Sequence, residues 1–189
     1  MRDYKVASGG WEQLNTASPF NILIRSLTMR VFSDVEVHQL YQQHTDDTGQ
    51  PFDPDATGRA FYLTQGQPWL VNALAKIVVE ELVIDQGLPI TPAHINAAKE
   101  ILIQRQETRL DSLAERLREP CVRRIIEPIL SGQPLGDVPQ DDIRFVVDLG
   151  LCINGNGEGL RIANPIYQEI LPRVLACMVM ASMPRITPI

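Results

Sequence analysis

The stretch Leu151-Cys152-Ile153-Asn154-Gly155-Asn156-Gly157-Glu158-Gly159-Leu160-Arg161-Ile162-Ala163-Asn164-Pro165 decides how this chain is read. Two short apolar runs enclose a run of Asn-Gly pairs, which supply the positive φ values that a tight turn demands. They predict a β-hairpin, with strands at 151–153 and 160–162. Asn164 can then cap, and Pro165 can open, a helix running to about residue 177, since proline at the first helical position loses no hydrogen bond that would have formed. Upstream, Val122, Ile125, Ile126 and Ile129 recur at helical spacing and place a helix over 120–130, after a shorter one over 111–117. Residues 132–139 form a turn-rich break. A short helix follows over 141–149, with Ile143, Val146, Val147 and Leu149 apolar.

Helices, hairpin and closing helix in this order predict a winged-helix domain over 110–189. The preceding part reads as a separate all-α domain over 33–109. Ser33-Asp34-Val35-Glu36 is a capping box that opens a helix over 34–43, with Val35, Leu40 and Tyr41 along one face. Residues 44–54 are polar and contain Gly49 and two prolines, so they read as a loop. A second helix over 54–63 turns Ala56, Ala60 and Leu63 inward. In Thr64-Gln65-Gly66-Gln67-Pro68, Gly66 suits a left-handed helix end and Pro68 the first position of the next helix. That helix, 69–85, is apolar nearly all round and is expected to be the most buried of the bundle. Gly87 and Pro89 end it, and Thr91-Pro92 starts another over 92–107. Residues 1–32, with Gly9-Gly10, Ser18-Pro19 and the alternating 21–27, read as an extended segment or linker. The fold class expected is therefore mainly α: a helical bundle, then a winged helix with a small β-hairpin.

Composition narrows the function. The 189 residues are 44% hydrophobic and 21% charged, enough for a substantial core. Seventeen Lys plus Arg against 23 Asp plus Glu give −6, the wrong sign for a chain whose main task is gripping nucleic-acid phosphates. Cys121, Cys152 and Cys177 are odd in number and show no C-x-x-C spacing, which argues against a disulfide framework or a zinc site and points to a reducing cytoplasm. The N-terminus lacks the apolar run of a signal peptide, and no apolar stretch reaches the roughly 18 residues of a membrane span. The longest, 174–183, is bounded by Pro172 and Pro184.

No catalytic constellation assembles. His38, His44 and His94 are scattered over polar segments, without metal-ligand spacing. Ser8 and Ser112 lie in no nucleophile-elbow sequence. The cysteines fall in apolar patterns that suit buried thiols. Asp46-Asp47 and Asp141-Asp142 are adjacent pairs that point apart, and the second sits at a helix start, where acids favour the dipole. A winged helix raises DNA as a partner, with Arg144 and Arg161 as the contacts. The segment that would enter the major groove, however, carries Asp141, Asp142 and Asp148 against Arg144 alone, a net of 1 − 3 = −2. Six arginines within 105–124 alternate with four acids, the pattern of a salt-bridged solvated face.

Four motifs in order resemble the C-terminal half of a prokaryotic AAA-like family of P-loop ATPases: Ser18-Pro19-Phe20-Asn21-Ile22, the Thr64–Leu74 stretch TQGQPWLVNAL, LDSLAERL at 110–117, and LRIANPIY at 160–167. The resemblance covers roughly residues 2–173. It implies a helical lid followed by a winged helix, with ATP or ADP as the cofactor of a P-loop core. This chain contains no G-x-x-x-x-G-K-[ST], so by this reading it is not an enzyme by itself and takes a P-loop core or another protein as partner. Gly66 and Pro68 resemble the glycine-x-proline turn by which such lids lie against nucleotide; the family pattern often places an arginine next, where this chain has Trp69. Two other readings stay open: a DNA-binding winged-helix regulator, and an interaction module that has lost its ATPase core.

The apolar, methionine-rich 174–183 predicts a homodimer if it is exposed. Light scattering should then give twice the chain mass at high concentration, and a monomer there removes the expectation.

Overall fold

The computed structural model describes residues 30–108, 111–155 and 159–182, without the side chains of 106–108, 111–114 and 177–182. Within them lie eight α-helices and one two-stranded hairpin: α1 Asp34–Thr48, α2 Pro54–Thr64, α3 Pro68–Ile77, α4 Pro92–Thr108, α5 Asp111–Arg118, α6 Pro120–Ser131, α7 Gln140–Asp148, β1 Cys152–Gly155, β2 Gly159–Ile162 and α8 Pro165–Ser182. The chain is mainly helical, with its small antiparallel hairpin near the C-terminus. The expected 21–27 segment and the hairpin tip 156–158 lie outside the described residues.

The predicted capping box forms. The Glu36 N–H donates to Ser33 Oγ at 3.3 Å and the Ser33 N–H donates to the Glu36 carboxylate at 2.9 Å. The Arg30 guanidinium also holds that carboxylate, and with the Ser33 amide it pulls Glu36 from the ordinary 4.5 to about 2. Helix α1 continues five residues beyond the expected 43, to a left-handed Gly49 that closes it through a 2.8 Å bond to the Thr45 carbonyl. Its inward face is corrected: Val35 is 63% exposed, whereas Val37 and Tyr41, four residues apart and so on one stripe, are buried. The Tyr41 hydroxyl donates to the Val71 carbonyl at 2.8 Å and ties α1 to α3.

Ala56, Ala60 and Leu63 of α2 are buried as expected, and α2 and α3 both pack on α4. The single helix expected over 69–85 is instead α3 followed by a π-helical turn, Val78–Leu82, closed by a 2.8 Å bond from the Val83 N–H to the Val78 carbonyl. Widening the helix by one residue changes the phase of the side chains. Val83 turns inward, while Leu82, Ile84 and Leu88 face solvent. Gln50, 1% exposed, secures the next loop by donating to the carbonyls of Val83, Asp85 and Leu88, and its own carbonyl oxygen lies 2.9 Å from His44 Nε2. His44 is thus half-buried and engaged, not the surface residue its polar neighbours imply.

In the second half, α6 packs against α5, α7 and β2. Its Val122, Ile125 and Ile126 are fully buried. The strands pair Cys152 with Ile162 and Ile153 with Arg161; β1 starts one residue later and runs two residues further than the expected 151–153, and β2 starts one residue before the expected 160. Helix α8 reaches both halves, packing on α2, α4, α5 and β2. It continues through Pro172, as the expected span to about 177 requires, and on to Ser182. The ring and the Gln168 turn beneath it are exposed, so the carbonyl freed by the missing N–H meets water instead of a dry core.

Gly66 (φ +72) separates packing from flexibility. A Cβ there would stand 1.9 Å from the Phe32 carbonyl oxygen, because the Phe32 N–H donates to the Gly66 carbonyl at 2.8 Å and holds the two backbones together. Gly132 has a similar φ (+67) with open space around it. Urea unfolding should therefore show Gly66→Ala losing about 3 kcal/mol or more, against about 1 kcal/mol for Gly132→Ala, which meets only the left-handed backbone penalty. Equal losses would remove the close approach as the reason for this glycine.

Candidate functional site

The α2–α3 turn is built from its sequence outward. Thr64, the last residue of α2, is buried; its hydroxyl donates to the Ala60 carbonyl at 2.8 Å and accepts the Gly66 N–H at 3.2 Å. Gln65 adopts φ +49 and Gly66 φ +72, two left-handed residues in succession that reverse the chain. Gln67 then precedes Pro68, the first residue of α3. This leaves Gln67 half-buried and Trp69 exposed on one side of the turn while Gly66 is buried under Phe32 on the other.

The exposed side meets the corner between β2 and α8. Asn164, 1% exposed, caps α8: its Oδ1 accepts the Tyr167 N–H at 2.9 Å. Its Nδ2 donates to Gln67 Oε1 at 2.9 Å, and Gln67 Nε2 donates to the Tyr167 hydroxyl at 3.2 Å. Trp69 Nε1 donates to that same hydroxyl at 3.2 Å, with ring centroids 6.4 Å apart. The hydroxyl oxygen thereby uses both acceptor lone pairs. Burial pushes the Tyr167 hydroxyl above its ordinary value, against the two donors, which favour the phenolate. Gly150 (φ +71), between α7 and β1, leaves room for Gln67: a Cβ there would lie 3.1 Å from Nε2.

Beside this network opens a groove of about 930 Å³. Its walls include Val31, Phe61, Trp69, Leu149 and Ile153, with Gln67 and Asn164 among its polar members. Pro68 lines it and Gly66 does not. Of the two lid-motif residues singled out in the sequence, one faces the groove, and the other shapes the turn by admitting the Phe32 backbone. The residues that join this turn to the second half, Gln67, Asn164 and Tyr167, lie inside the two quoted motifs, and nothing in either motif alone identifies them as partners.

Elsewhere the arginines of 105–124 are partly neutralised where they stand. Arg105 pairs with Glu81, Arg116 with Glu119 and Arg123 with Glu127. Arg144 is exposed on α7 and lies 3.6 Å from Asp141. Arg161 is exposed on β2. Cys152 is buried, which pushes its thiol up to about 12, and Cys121 is half-buried. No helix among the described residues is long and apolar enough to cross a membrane. No family model, curated protein or solved structure matches the chain.

A second link between the halves is ionic. Lys99 of α4, with only 12% of its side chain exposed, lies 2.8 Å from Glu169 of α8 and 2.8 Å from Glu100. Burial opposes its charge, but the hydrogen bonds to the two carboxylates outweigh that and raise it above its ordinary 10.5. A raised lysine value contributes stability below the unfolded value and loses it as pH rises through the folded one. Glu169→Gln should cost about 1 kcal/mol at pH 7 in chemical unfolding. The difference from the parent should shrink above pH 10.5, and a difference unchanged there would contradict the ionic origin of the link.

Proposed function

We propose that this chain is the lid and winged-helix portion of an AAA-like ATPase, not catalytic by itself, that couples nucleotide state to a contact with a partner protein. In this reading residues 33–109 are the lid and 110–189 the winged helix. A P-loop core holds ATP or ADP against the groove side of the Gly66–Pro68 turn, and the winged helix moves with the lid to make or break the contact. One observation supports this above the others: the TQGQPW and ANPIY segments, which carry the family resemblance, meet through the hydrogen bond between residues 97 apart, Asn164 and Gln67. A turn tied in this way has a mechanical route to the hairpin end of the chain. The open ends of the α3 N–H groups beside Pro68 favour an anion, in keeping with a phosphate on that side. The acidic exposed face of α7, with Asp141 and Asp148, disfavours the DNA-binding alternative.

The test begins with the DNA immediately upstream of the Met1 codon, which should encode G-x-x-x-x-G-K-[ST] in frame or in an adjacent frame. That core joined to this chain should bind labelled ADP at least about tenfold more tightly than the core alone, a difference of about 1.4 kcal/mol. Equal affinities, or no P-loop sequence in any adjacent frame, would overturn the proposal. Binding of a labelled duplex that weakens steeply with salt would replace it with the DNA-binding reading.

A further inference from the structure

We infer that Gln67 is the positioning residue through which the Gly66–Pro68 turn and the hairpin-to-α8 corner hold one another in register. The function of this link rests on the lid reading above, but its existence does not. Three features of the chain converge on this one side chain. Its Oε1 accepts from Asn164 Nδ2 at 2.9 Å, its Nε2 donates to the Tyr167 hydroxyl at 3.2 Å, and its amide fills the space that Gly150 leaves beside β1. Gln67 therefore touches the entry to the hairpin at Gly150, the exit from it at Asn164 and the first turn of α8 at Tyr167, all from the residue that precedes Pro68.

Asn164 makes the link stiff. Its carbonyl oxygen caps α8 while its amide nitrogen holds Gln67, so it cannot turn to follow a displaced Gln67 without uncapping the helix. Tyr167 is held in the same way, its hydroxyl accepting from Gln67 and from Trp69, one on each side of Pro68. A shift of the 64–69 turn then requires either breaking these part-buried polar contacts together or carrying residues 150–155 and 159–167 along. Buried amides left without partners are disfavoured, so carrying the corner along is the easier course. In an ATPase this is how a change at the lid turn would be delivered to the winged helix.

Amide hydrogen exchange on the full chain tests the link without any nucleotide. Gln67→Ala removes both of its hydrogen bonds. Asn164→Ser keeps a side chain that can cap α8 but is too short to reach Gln67, and so separates the link from the cap. Each variant should speed exchange by roughly tenfold on both sides of the junction, at 65–71 and at 150–167, while amides of α4 keep parental rates. The two changes combined should do no more than Gln67→Ala alone, which already removes the contact that Asn164→Ser breaks. Gln67→Glu, which keeps the acceptor toward Asn164, should retain most of the protection. Should Gln67→Ala leave 150–167 at parental rates, or should the double variant be additive, Gln67 would be a local residue of the turn and the inference would fail. If exchange responds as stated while a core joined to this chain shows no gain in ADP affinity, the lid reading fails and the link stands.

Discussion

Asn164 is almost entirely buried, and both ends of its amide are committed: one to the start of its own helix, the other to a residue 97 positions earlier in the chain. A buried amide deprived of a partner costs about 1–3 kcal/mol. That requirement fixes how the two halves of the described chain meet. Apolar packing of α8 on α2 and α4 supplies most of the adhesion but carries no directional information, because hydrophobic burial is indifferent to small rotations. The hydrogen bonds among Gln67, Asn164, Tyr167 and Trp69 are directional, and they select one arrangement from the many that would bury the same surface.

Backbone geometry prepares the meeting. The reversal at Gln65 and Gly66 places Gln67 on one side of the turn, and Phe32, pressed against the glycine, blocks the other. At the opposite end Gly150 reverses the chain after α7 without filling the space that Gln67 occupies. The same left-handed conformation thus does different work at two positions: at Gly66 it admits a neighbouring backbone, and at Gly150 it admits a side chain. Lys99 adds a second, ionic fastening between α4 and α8, and Arg30 braces the capping box that starts α1 beside the groove.

Much of this fold is legible in the sequence, because the signals are local. Proline at the first helical turn, the Ser33–Glu36 box, the glycine at 66 and the two short strands of the hairpin act within a few residues, and each appears in the structure. The departures come from forces a local pattern does not carry. Val35 looks as apolar as Val37, but only Val37 shares a stripe with Tyr41. The π-helical turn at 78–82 follows from the need to bury Val83 while the loop beyond it is tied to Gln50, a partner some thirty residues away. The candidate site divides in the same way: Gly66 and Pro68 stand out as a motif, whereas the pairing of Gln67 with Asn164 is visible only once the chain is folded.

The engagement of these polar groups with one another bears on what the groove can recognise. Gln67 gives both its amide ends to neighbours, Asn164 does the same, and the Tyr167 oxygen accepts two donors. An occupant of the groove meets apolar walls from Val31, Phe61, Trp69 and Ile153, with Gln67 and Asn164 among its polar members, and each of those amides has a second N–H and a second lone pair beyond the ones that join the two halves. Only a ligand that takes Gln67 away from Asn164 or Tyr167 has to prefer a different arrangement of the halves, and one that binds without disturbing those contacts leaves the arrangement as it is.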